Sequence, residues 1–291
     1  DVNVGLPEID ESKMIVRVIK EIQSILDTPL QIDSTYPKVI ESGLRVINGK
    51  AIVNSVNGED KTLENILPIV KKYGASVVGL TLDENGIPES AEERFRIAEK
   101  IVKKALEYGI SKEDIYIDCL TLTAAAQQEG VKETLKAITM VKEKLNVKTI
   151  LGVSNVSFGL PNRELINKTF LAAAIYTGLD LIIMNPLKKD MMDTIKASKV
   201  LWNEDKGAVN YLATYENTKN IESPVSNTPN KDRDLFQIIL KGLGEEAKAA
   251  TKKLLETKEA LEIVNEFIVP ALDLVGDRYE KGEIFLPQDR K

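Results

Sequence analysis

Residues 149–173 read Thr149-Ile-Leu-Gly152-Val-Ser-Asn155-Val-Ser157-Phe-Gly-Leu-Pro161-Asn162-Arg-Glu-Leu165-Ile166-Asn-Lys-Thr-Phe170-Leu-Ala-Ala173. The stretch opens as a short β-branched run, Thr149 to Val153, and turns polar at Ser154-Asn155. After Pro161-Asn162 it continues with Leu165, Ile166, Phe170 and Ala173 at helical spacing. This is a strand, a polar strand end and a helix in succession.

Working outward, the same unit recurs. Short apolar runs stand at Asp1 to Val4, Leu30 to Asp33, Ala51 to Asn54, Val77 to Leu82, Ile115 to Asp118 and Leu181 to Met184. Helix signals fill the gaps: Pro37 before Val39, Ile40, Leu44 and Ile47, and Ser90 with Glu93 three residues on, before Phe95, Ile97, Ile101 and Ala105. Near-continuously apolar strands joined by helical crossovers imply a parallel sheet covered on its outside. The expected architecture is α/β, a TIM-like (β/α)8 barrel. Seven runs are present where a closed barrel has eight strands, so the barrel is expected to lack its first strand, which with its helix would lie upstream of Asp1. An open seven-stranded sheet is the alternative.

Beyond Trp202 the pattern changes. Residues 217–232 carry two prolines and four asparagines with little apolar content, which is linker chemistry. Helical periodicity resumes over about 233–242, 245–256 and 258–281, with Leu235, Ile238, Ile239, Leu254, Leu255, Leu261, Val264, Phe267 and Ile268 as apolar positions. The expected division is a βα barrel over 1–216, a linker over 217–232 and a small all-helical bundle over 233–291. Three such helices leave a face for a fourth helix or a ligand, and the carboxyl end reads as cut.

Composition narrows the function. The chain has 291 residues, 43% of them hydrophobic and 29% charged, with a net charge of −6 and no basic cluster, so neither nucleic acid nor a membrane surface is favoured as a partner. Cys119 is the single cysteine, no apolar run is long enough to span a bilayer and no signal peptide opens the chain, which makes the cytoplasm the expected location. There is no histidine, which removes the commonest general base and every Ser-His or Cys-His site, and makes zinc a poor fit. Proton chemistry falls to Asp, Glu, Lys, Tyr, water or the ligand.

Four polar side chains end successive strands: Asp33, Asn54, Asp118 and Asn155. In a parallel barrel the carboxyl ends of the strands meet at one mouth, so the four would surround one ligand. Carboxylates and carboxamides without a cationic clamp suit a neutral heterocycle with N–H donors and a carbonyl, such as a pterin or purine-like ring, and suit a phosphate poorly. Taken singly, Asp33 before Pro37 is equally a helix cap, and Asn54 and Asp118 have similar local roles open to them. Cys119 reads as a small buried hydrophobe. A divalent metal on Asp1, Asp33 and Asp118 is the alternative occupant, and the amides among the carboxylates argue for the ring.

The strings Asp1-Val-Asn3-Val-Gly5, Asp33-Ser-Thr35, Asn54-Ser55 and above all Gly152-Val-Ser-Asn155-Val-Ser157 resemble the pterin-binding barrel of the methyltetrahydrofolate:corrinoid methyltransferases, over roughly residues 1–200. The tail, ending Val275-Gly-Asp-Arg-Tyr-Glu-Lys-Gly-Glu-Ile-Phe285-Leu-Pro-Gln288, is similar to the start of the helical cap of a cobalamin-binding module, the order found in cobalamin-dependent methionine synthase. The resemblance implies that Asp33, Asn54 and Asp118 hydrogen-bond the pterin, with Asp1 and Asn3 on the opening strand also at the substrate. It implies that Asn155 lies near N5, that Asn155 and Asp118 serve catalysis, and that Phe285 and Leu286 face cobalamin. The implied activity is methyl transfer from 5-methyltetrahydrofolate to cob(I)alamin in methionine synthesis, the cobalamin being carried by a domain or partner outside this chain. A dihydropteroate synthase-like enzyme, a non-catalytic reduced-folate-binding module and a methyltransferase acting on a corrinoid iron-sulfur protein are the competing readings. The first would need Lys or Arg at the last strands, where the chain reads Met184-Asn-Pro-Leu-Lys188.

Overall fold

The computed structural model describes residues 1–215, 235–240 and 243–280; residues 217–232, Phe285 and Leu286 lie outside them. Contacts divide the chain into two compact units, Asp1–Lys219 and Asn220–Lys291.

The first unit is built on six parallel strands, β1 (Gln31–Asp33), β2 (Ile52–Val56), β3 (Ser76–Leu80), β4 (Ile115–Asp118), β5 (Lys148–Gly152) and β6 (Leu181–Ile183), paired in chain order. Helices α1 (Glu11–Ile25), α2 (Pro37–Leu44), α3 (Asp60–Tyr73), α4 (Ala91–Glu107), α5 (Gln128–Met140), α6 (Arg163–Tyr176), α7 (Lys189–Leu201) and α8 (Val209–Tyr215) follow the strands or precede the first. The sheet curls like part of a TIM barrel, so that Gln31 and Ile52 near one edge and Leu181 to Met184 at the other line one cavity of about 290 Å³. The seventh expected strand, Asp1 to Val4, is reduced to one bridge from Val2 to Ile32. Its ladder stops because Asn3 Oδ1 takes the Gly5 N–H (2.9 Å) and Leu6 N–H turns back to Val4 O (3.0 Å), starting a turn.

The helices begin where their sequence signals stand. Pro37 opens α2, where a missing N–H costs nothing, and Ser90 Oγ caps α4 by accepting from Glu93 N at 3.3 Å while donating to the Glu93 carboxylate at 3.0 Å. α6 starts after Asn162, whose left-handed backbone makes no side-chain cap.

Two glycines show which sheet face meets the helices. A Cβ on Gly43 of α2 would stand 2.7 Å from Ile32 Cδ1, and one on Gly79 of β3 would stand 2.7 Å from Ile101 Cγ2 of α4. Ile32 and Gly79 therefore point outward into the apolar layer, and their neighbours Asp33, Val78 and Leu80 point to the inner face.

The second unit contains α9 (Leu235–Leu240), α10 (Gly244–Leu254), α11 (Ala260–Ile263) and α12 (Val269–Glu280), with a π-turn over Val264–Ile268 joining the last two. Leu235, Ile238, Ile263 and Ala271 are buried, whereas Leu261, Val264, Val269 and Leu272 are exposed. No helix among the described residues is long and apolar enough to cross a membrane.

Candidate functional site

Strand register assembles the polar strand ends. Asp33 pairs with Asn54, Asn54 with Val78, and Leu80 with Asp118. Registered residues of parallel strands share a face about 4.8 Å apart, so Asp33, Asn54 and Asp118 all project to the inner face at the carboxyl ends. Past Asn54 the β2 register shifts, and the Asn54–Ser55 peptide is cis. Asp33 is half-buried and accepts from Asn3 Nδ2 at 3.1 Å, which brings Asn3 to the same group. Asp1 does not join them: it lies beside Gln31, whose Nε2 donates to Asp1 Oδ1 at 3.1 Å, on the side away from the strand ends. Asp1, Asp33 and Asp118 are not gathered into a metal-holding group, and among the described residues no such group occurs.

Asp118 is the buried member. Its carboxyl pKa is pushed up to about 7, chiefly because burial disfavours the charge, against the opposing effect of the Leu120 N–H, which donates to Oδ1 at 2.7 Å. A carboxyl so poised can either accept or donate a hydrogen bond near neutral pH. Next to it, the Cys119 thiol is fully buried and its pKa is driven up by burial and by the Asp118 charge, which leaves it chemically quiet.

Asn155 stands on the 3-10 turn Val153–Ser157 directly after β5 and is exposed, with its side chain free to meet a ligand. The turn is fastened from two sides. Arg163 Nε donates to Ser157 Oγ at 2.9 Å and Nη2 to Ser154 O at 3.0 Å, while its guanidinium lies 4.8 Å from the Phe158 ring centroid. From the loop after β4, Thr123 Oγ1 donates to Phe158 O at 2.5 Å and Ala124 N to Val156 O at 2.9 Å. The loops bearing Asp118 and Asn155 thus brace each other. Lys188, after β6, is held by Glu164 at 2.6 Å. Arg163 and Lys188 are both engaged with protein groups.

The sequence reading missed Arg94, a fully buried cation on α4. Its signal was present: Arg94 falls in the stripe Ala91, Ala98, Ile101 and Ala105, at the spacing of a buried helical face.

The pterin-binding enzyme family model matches residues 4–185, more than half of the chain. The chain belongs to the pterin-binding enzyme family. A B12-binding domain model matches residues 232–288 of this family member. Methionine synthase of Mycobacterium tuberculosis is 30% identical over 289 residues, covering 89% of this chain and 24% of that protein. The chain therefore spans about a quarter of the length of the methionine synthases it matches. The methylcorrinoid:tetrahydrofolate methyltransferase of Eubacterium limosum is 27% identical over 217 residues, covering 73% of this chain and 78% of that one. Among solved structures, a Yersinia pestis dihydropteroate synthase superposes with a TM-score of 0.54 at 14% identity, over 69% of this chain and 79% of that one, a likeness of fold.

Proposed function

We propose that this chain binds 5-methyltetrahydrofolate at the carboxyl ends of its strands and passes the N5 methyl group to cob(I)alamin, as one step of methionine synthesis. The observation that carries the reading is the placement of Asp33 and Asn54 in register on the inner face, with Asp118 on the same face two residues further along and Asn155 on the adjoining turn. Asp33 and Asn54 hydrogen-bond the pterin's N–H groups and carbonyl, and Asn3 steadies Asp33. The B12-binding match over 232–288 favours a corrinoid acceptor over the dihydropteroate synthase reading. So does the engagement of Arg163 and Lys188, which leaves neither free for a pyrophosphate.

The chemistry follows from the leaving group. A methyl group departs from N5 only as that nitrogen gains a proton or a hydrogen bond, because the unassisted amide-like anion is a poor leaving group. The Asp118 carboxyl, near neutrality, holds a proton within the ring's hydrogen-bond network. The Asn155 amide oxygen accepts from protonated N5 and stabilises it. Cob(I)alamin, when bound, supplies the nucleophile that takes the methyl group without its bonding electrons.

The helical unit fits a corrin as a surface. Leu261, Val264, Val269 and Leu272 offer exposed apolar side chains, and Phe285 and Leu286, which this reading also assigns to the cobalamin, lie outside the described residues. With no histidine, the chain has no imidazole to offer the cobalt. A second reading runs the same step in reverse, from a corrinoid protein to tetrahydrofolate, and is favoured by the likeness to the methylcorrinoid:tetrahydrofolate methyltransferase of Eubacterium limosum.

Equilibrium binding of 5-methyltetrahydrofolate, followed by methyl transfer to added cob(I)alamin, tests the proposal. Saturable binding and transfer that falls on the order of 100-fold in Asn155→Ala, with Kd little changed, supports it. A folded chain that binds no folate, or that binds it and transfers nothing, overturns it.

A further inference from the structure

We propose that Arg94 is a positioning residue for the pterin site: from the first turn of α4 its guanidinium fixes the turn after β4 that presents Asp118. The inference rests on the folate reading above. Arg94 is 0% exposed, and among the described residues no carboxylate pairs with it within salt-bridge distance. Its Nε and Nη1 donate to backbone and hydroxyl instead, while Nη2 is buried without a hydrogen-bond partner. Nε reaches Pro88 O at 2.8 Å, and Nη1 reaches Cys119 O and Leu120 O at 3.2 Å each and Thr134 Oγ1 of α5 at 2.8 Å. Thr134 Oγ1 stands 2.9 Å from the same Leu120 carbonyl. One buried cation therefore ties the entry to α4, the two residues after Asp118 and the body of α5.

The turn so held is one the chain would not choose locally. Leu120 has φ +56°, a left-handed backbone that its Cβ disfavours. That conformation aims the Leu120 N–H at Asp118 Oδ1 (2.7 Å). Three residues further on, Thr123 and Ala124 make the bonds to Phe158 and Val156 that steady the Asn155 turn. Without the guanidinium the Cys119 carbonyl loses its donor and the Leu120 carbonyl keeps only Thr134 Oγ1, so Leu120 relaxes and the Asp118 carboxyl is no longer pinned. A contact that served stability alone would not require a desolvated cation there, since burial itself lowers the Arg94 pKa and opposes its charge.

The test measures 5-methyltetrahydrofolate affinity against pH for the natural chain, Arg94→Met, Arg94→Lys and Thr134→Val, with urea unfolding of each followed by the fluorescence of Trp202. Arg94→Met is expected to weaken binding by 10- to 100-fold and to move the pH midpoint of binding upward. The shift follows because the Leu120 hydrogen bond that favours ionised Asp118 is lost, Cys119 being the other titratable group beside it. Arg94→Lys is expected to recover part of both effects, and Thr134→Val to show a smaller shift in the same direction. A loss of stability alone would leave the pH midpoint where it was. Folded variants with natural affinity and an unmoved midpoint overturn the inference while the folate reading stands, and should Arg94→Met not fold, the other two variants decide it in the same way. A natural chain that is folded yet binds no folate overturns the folate reading, and the inference with it.

Discussion

Replacing Asp118 with asparagine is expected to make the first unit more stable at pH 8 than the natural chain, and nearly as stable at pH 4. The carboxyl is buried, and its pKa rises from an ordinary 3.8 to about 7. Below about pH 4 it is protonated in both the folded and unfolded chain and contributes nothing. Between about pH 4 and about pH 7 the unfolded chain ionises while the folded chain keeps its proton, so stability falls as pH rises, and above about pH 7 the full penalty remains. Each pH unit is worth about 1.4 kcal/mol, which puts the penalty at about 4 kcal/mol, reduced to roughly 2 kcal/mol by local relaxation and water penetration. Asparagine has no charge to desolvate, and its Oδ1 can still accept the Leu120 N–H. Urea unfolding at pH 4, 6 and 8 measures the effect, with the single tryptophan, Trp202, as reporter; it stands 4.7 Å from the Tyr176 ring within the first unit. The difference between variant and natural chain cancels every other titration. If that difference is the same at pH 4 and pH 8 to within about 0.5 kcal/mol, burial does not hold Asp118 protonated and the reasoning is refuted.

Asp33→Ala should weaken 5-methyltetrahydrofolate binding about tenfold, the worth of one charged hydrogen bond, with isothermal titration as the measurement; unchanged affinity would place the ring elsewhere. Ser90→Ala removes the hydroxyl cap of α4 and should lower stability by about 1 kcal/mol in urea without altering folate affinity. Cys119, fully buried and with its ionisation suppressed, should resist a disulfide exchange reagent in the folded chain and react promptly in denaturant; rapid reaction of the native protein would contradict its burial.

What the sequence disclosed follows a physical line. The alternation of β-branched runs with helical spacing located all six strands to within a residue or two, because burial on both faces makes a parallel strand almost continuously apolar. Polar residues ending such runs stand out, and register then leaves Asp33, Asn54 and Asp118 little freedom about which face they share. Asp1 to Val4 read as a strand because Val2 and Val4 alternate, yet a pair of local hydrogen bonds to Asn3 and Val4 stops the ladder after a single bridge. Arg94 was passed over since a charge in a helix reads as solvated, although its spacing put it on the buried stripe. The left-handed Leu120 carries no mark in the sequence at all. Its backbone follows from tertiary hydrogen bonds, and those have no local periodicity.

Strand order that repeats chain order has a consequence for how the site comes into being. Each strand pairs with the one made just before it, so none must be inserted between two already joined. The pocket can grow from one side as the polypeptide lengthens: the Asp33–Asn54 pair closes across the α2 crossover, Asp118 is added two strands later, and the Asn155 turn docks last onto Thr123 and Ala124. Assembly by nearest neighbours limits each closure to one helical crossover and leaves the Asn155 turn as the final piece of the group to be set in place.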